Sequence, residues 1–217
     1  MKKIVLLLAL VAVAHRSAWT QEPFAALDRE TAVQLQRIVG DASAHGLPAE
    51  RIVAKVQLGI TMKVPPARML VAAQAVAARL QQARDALAPA PTVADILAGE
   101  DAISVGVTVN SLRRLRAASP RDPVAVAVGV LAQLVANHVS QDRATTMVIG
   151  LLTRGASNMQ LASLGNDVNG DIARGGSPND ALDIRVRGLV PLLGAPGGAA
   201  AASTEPGAAS AHGPKKP

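Results

Sequence analysis

The chain has 217 residues, no cysteine and a formal net charge of +6 at pH 7. The lack of cysteine excludes disulfides and cysteine-ligated zinc or iron–sulfur centres. Trp19 and Phe24 are the only Trp, Phe or Tyr residues, so aromatic stacking platforms for bases or sugars are excluded and the core falls to Leu, Val, Ile, Met and Ala.

Met1-Lys2-Lys3 is a basic start, and Ile4 to Ala14 is an unbroken apolar run. Small residues at Ala12 and Ala14 complete the pattern of a secretory signal peptide over residues 1–14, cleaved after Ala14. The run is shorter than the roughly 18 residues a membrane span needs, and no later run reaches that length. The sequence therefore predicts export to the periplasm or the extracellular space, with no transmembrane span after cleavage. No cysteine follows the run and no Arg-Arg pair precedes it, which argues against lipoprotein or twin-arginine export. Residues 15–21 form a linker. Lys2 and Lys3 account for two of the net charges and the C-terminal tail for one more, leaving +3 over residues 15–194. That is too small a surplus for a nucleic-acid-binding footprint.

Residues 22–194 read as a single helical domain, with possible halves 22–90 and 91–194. Leu27, Thr31, Leu35, Ile38 and Ala42 form the first stripe at helical spacing. Gly46-Leu47-Pro48 then reads as a helix stop followed at once by a helix start. Gly suits the left-handed residue past a helix, Leu packs back, and Pro opens the next helix. Variants stand at Lys63-Val64-Pro65, Gly106-Val107-Thr108, His138-Val139-Ser140, Gly155-Ala156-Ser157 and Gly176-Ser177-Pro178. Ser or Thr supplies the cap in several of them. Met69, Ala73, Val76, Leu80, Ala83 and Leu87 step along one face. Residues 88–106 read as a looser connection with a short helix near Val93–Leu97. Val109, Leu112 and Leu115 mark the next helix, with Asp122 as a cap before Pro123. Val124 to Ala136 is apolar on every side, which predicts a central buried helix. Leu161, Leu164, Val168 and Ile172 form the last stripe. From Ala195 the chain is Ala, Gly, Pro and Ser with no large apolar residue, which predicts a disordered tail over 195–217.

Gly46 to Lys63 and His138 to Gly155 both span 17 residues. This suggests two degenerate helix pairs with a period near that of tetratricopeptide repeats, whose Trp, Gly-Tyr and Phe positions are absent. The predicted fold class is all-α, an irregular bundle or short solenoid of stacked helix pairs, about eight helices in all. In cadence, residues 40–188 resemble uncharacterised exported Ala-rich helical proteins of bacteria, in which Gly–apolar–Pro turns separate the helices. The resemblance implies a fold and no activity.

The candidate chemistry is sparse. Asp167, Asn169 and Asp171 have the spacing that opens a calcium loop, but Ile172 and Pro178 stand where Gly and a bidentate Glu belong, so a helix face is expected instead. Arg113, Arg114 and Arg116 are the densest basic cluster and the candidate binding residues, with Arg113 and Arg116 expected on one face. His45 and His138 are expected to cap helix C-termini. Glu100-Asp101 are expected to diverge on the connection. No nucleophile motif, phosphate loop or metal motif occurs, so no catalytic residue, metal or cofactor is predicted. The expected function is a non-enzymatic interaction or structural role in the cell envelope, with an envelope protein as partner. Two alternatives stand beside it. One is an envelope enzyme in which a histidine meets a carboxylate or Ser. The other is a binder of anionic lipid or polyanion through Arg113–Arg116.

Overall fold

Residues 23–193 are described in the computed structural model; the predicted signal peptide, linker and tail lie outside the described residues. Among the described residues there are nine α-helices and no strand. These are α1 Arg29–Ala44, α2 Glu50–Thr61, α3 Pro66–Ala86, α4 Val93–Ser104, α5 Val109–Ala118, α6 Ala125–Ala136, α7 Gln141–Leu152, α8 Asn158–Ala173 and α9 Pro178–Leu189. A 3-10 turn, Val190–Leu192, follows α9. None of these helices is long and apolar enough to cross a membrane.

Six inter-helix turns close the same way. The residue past the helix is left-handed in each: Gly46, Lys63, Gly106, His138, Gly155 and Gly175, with φ from 53° to 102°. The next residue donates its N–H to the carbonyl five residues back, at 2.9–3.0 Å, as Leu47 does to Ala42 and Val139 to Leu134. This double-bonded cap satisfies carbonyls that the helix end leaves free. Leu47, Val107 and Val139 bury their side chains as they turn. The last turn differs from the sequence expectation by one residue. Gly175, not Gly176, is left-handed, and Gly176 takes the place where an apolar residue stands elsewhere. A Cβ at Gly176 would lie 2.9 Å from the Asp171 carbonyl oxygen, so only glycine fits there.

Two of the predicted Ser or Thr caps close their N-termini with a side-chain bond, while Ser140 and Ser177 stand at the cap position without one. Thr108 accepts from the Ser111 N–H, and Ser157 and Gln160 form a reciprocal capping box. The stretch 88–106 is a correction. It carries a full helix, α4, opened by a Thr92–Asp95 capping box. Its inward face includes Asp95, Gly99 and Glu100 beside Ile96 and Ala102, so an apolar-stripe search stops at Leu97. Gly99 is required where it stands: a Cβ there would meet the Ala83 Cβ at 2.8 Å, because α4 crosses α3 closely.

The helices pack in two rows. α3, α4, α6 and α8 lie side by side, with α1 and α2 against α3, while α5, α7 and α9 form the second row. The apolar α6 sits where expected, packed by α4, α5, α7 and α8. The second row is laced by polar groups. Gln141 bonds Thr108, Thr145 bonds Ser111 in the interior, and Arg143 meets Asp183 at 2.9 Å. α8 and α9 form the last helix pair, and among the described residues no further helix covers their outer side.

Candidate functional site

The three arginines singled out in the sequence do not form one surface. Arg113 and Arg114 are exposed on α5, but Arg116 is buried. Its guanidinium lies 3.3 Å from the fully buried Asp95 carboxylate and donates to the carbonyls of Ser119 and Asp122. The expected shared face of Arg113 and Arg116 is thereby corrected. Leu112, Leu115 and Arg116 turn inward together, and two arginines remain for any ligand. Asp122 does not cap α6 either. The cap comes from far along the chain: Asp95 Oδ1 accepts the Val124 N–H at 2.7 Å. Asp95 thus serves α4, α5 and the start of α6 at once, which explains its burial despite its charge.

Glu100 and Asp101 lie on a helix and meet at one guanidinium. Glu100 is buried and accepts from Arg51 Nε at 3.0 Å and Arg79 Nε at 2.8 Å, while the exposed Asp101 bonds the same Arg51. This cluster ties α2, α3 and α4 together, and its carboxylates are committed to arginine.

The calcium-like residues sit on α8 as an ordinary helix face. Asp171 holds Arg185 bidentately, at 2.6 and 2.8 Å, and Arg174 at 2.5 Å. The hydrogen bonds from Arg185, then those from Arg174, hold its carboxyl down from 3.8 to about 2. In return Asp171 raises the Arg185 guanidinium above its ordinary value. Among the described residues, no three His, Asp or Glu side chains converge as a metal site requires.

His45 behaves as a C-terminal cap, its Nδ1 lying 2.7 Å from the Asp41 carbonyl. His138 occupies a left-handed turn position and is exposed. Neither ring bonds a carboxylate or a serine side chain among the described residues, so the convergence a histidine-based site needs is not formed by them.

What the sequence reading missed lies on the outer side of the last pair. A groove of about 780 Å3 runs between α8 and α9. Leu164, Ala181 and Leu189 contribute to it from the packed side. Met159, Ile184 and Leu192 line it at 77%, 62% and 75% exposure. A soluble helix normally turns such side chains inward, and three on one groove are a patch rather than scatter. The signal was present in the sequence but off the stripe: Ile184 stands two residues from buried Leu182 and Val186, on the opposite side of α9. Asp167 and Asp180 also line the groove. With Asp171 engaged by two arginines, Asp167 keeps one long contact to Arg185 at 3.8 Å and is 55% exposed. Asp180 is exposed and has no ion pair among the described residues.

Comparison with protein-family models, with curated proteins and with solved structures found no match.

Proposed function

We propose that this chain is an exported, non-enzymatic protein of the cell envelope that works by docking a partner protein against the outer side of α8 and α9. Export rests on the Lys2-Lys3 start followed by the apolar run to Ala14, and a cysteine-free chain loses nothing in an oxidising compartment. The docking role rests on one observation: the three exposed side chains Met159, Ile184 and Leu192 share one groove at the end of the helix stack. Stacks of helix pairs need a polar outer face on their last member to stay soluble, and an apolar one calls for a cover. A two-helix groove presents anchors in the spacing that a helix or extended segment of a partner fills.

Affinity capture from native envelope extract tests this, with wild type and Ile184→Ser/Leu192→Ser as baits. Truncating central anchors typically costs about 2 kcal/mol or more of binding. At least one envelope protein is therefore expected to bind the double variant about thirtyfold or more weakly. Identical protein lists from the two baits would contradict the reading.

A further inference from the structure

We infer that the α8–α9 groove takes a polypeptide segment polarised along its length, apolar at one end and carrying Lys or Arg at the other. This rests on the docking role proposed above and specifies its partner. The groove is itself polarised. α8 and α9 form a hairpin through residues 174–177, so the start of α8 lies beside the end of α9. Met159, Leu189 and Leu192 therefore share one end. Asp167 and Asp180 lie toward the turn, with Arg185 drawn onto Asp171. Arg174 and Arg185 are both held by Asp171, so three aspartates against two arginines leave this end at a net −1 on a chain of net positive charge, with Asp167 and Asp180 as the carboxylates left to favour a cationic partner over an anionic one.

Two other occupants fit less well. Residues 194–217 follow directly but carry no Leu, Ile, Met or Phe to fill the apolar end. A symmetric pairing of two copies through this face would bury Asp167 and Asp180 of both against the apolar end of the other copy, with the nearby Arg174 and Arg185 already held by Asp171.

Fluorescence anisotropy on the purified full chain tests the inference. The probes are three labelled peptides of about 14 residues, about 21 Å as a helix. Each has a Leu-rich half and a half bearing Lys, Ser or Glu. The Lys peptide is expected to bind at least about tenfold tighter than the Glu peptide, and the gap should narrow as salt rises. Asp167→Asn with Asp180→Asn should abolish the preference while keeping Leu-dependent binding. Ile184→Ser with Leu192→Ser should weaken every peptide. A photoreactive group at the Leu end should label Met159 or Leu192. The same group at the Lys end should label the 174–180 region.

Equal binding of the three peptides overturns the inference and leaves the docking role standing. Reversed labelling also overturns it, as does failure of every peptide to bind. Binding that emerges only after deletion of residues 194–217 would assign the groove to the tail. Dimerisation lost in Ile184→Ser would assign it to a second copy. Either result also overturns the inference.

Discussion

Lys63 and His138 hold φ at 53° and 65°, where a side chain strains the backbone by about 1–2 kcal/mol and glycine does not. Glycine loses about 0.5–1 kcal/mol of that advantage through its freer unfolded chain. Lys63→Gly or His138→Gly should therefore stabilise the protein by up to about 1 kcal/mol in urea unfolding. Gly106→Ala, at φ 102°, should destabilise it; equal effects from the three changes would refute the strain argument. Asp171 gives a second residue-scale test. Its carboxyl is depressed from 3.8 to about 2, so its contribution is complete above 3.8 and lost as pH falls through about 2. Asp171→Asn should flatten the fall of Tm over that window, and an unchanged pH profile would remove the Arg185 clasp from the stability of this hairpin. The turns were legible because Gly–apolar–Pro or Ser is a local rule. Arg116 was not, because its inward direction is set by Asp95, 21 residues away in sequence.

Elements are held here by a few buried charges set among aliphatic contacts. Asp95 receives Thr92 N–H, Val124 N–H and the Arg116 guanidinium. Breaking a buried pair on one side typically costs about 3–5 kcal/mol, and Asp95→Ala should fall in that range by chemical denaturation. Asp95→Leu with Arg116→Met should recover only part of the loss, since the Val124 N–H stays without an acceptor. Full recovery would show that the cap contributes nothing. The α3–α4 crossing makes a contrasting test. Gly99→Ala gains about 1 kcal/mol of helix propensity, but overpacking against Ala83 costs about 1–3. Ala83 Cβ is fixed to its backbone and cannot swing away, so the net effect should be destabilising and should be relieved by Ala83→Gly. Stabilisation by Gly99→Ala alone would contradict the close crossing. α4 escaped the sequence reading for this same reason. Its inward face carries Asp95, Gly99 and Glu100, and their partners come from α2, α3, α5 and the start of α6. The apolar stripes of α3 and α8 needed no such partners and were readable from spacing alone.

Among the described residues, two rows of helices leave one end pair uncovered, and the two most exposed large apolar side chains, Met159 and Leu192, meet there beside Ile184. The all-α class followed from periodicity and from the scarcity of strand-like runs. The groove did not, because Met159 and Ile184 lie far apart in sequence and only the hairpin of α8 and α9 brings them to Leu192. This end is the proposed working surface. Its most direct test is site-specific photo-crosslinking in living cells from position 184. The control is position 71 on α3, where Val71 is 67% exposed but lines none of the α8–α9 groove. A discrete adduct from position 184 with a single envelope protein, absent from position 71, is the expected result. Adducts of equal yield from both positions, or none from position 184, would contradict it.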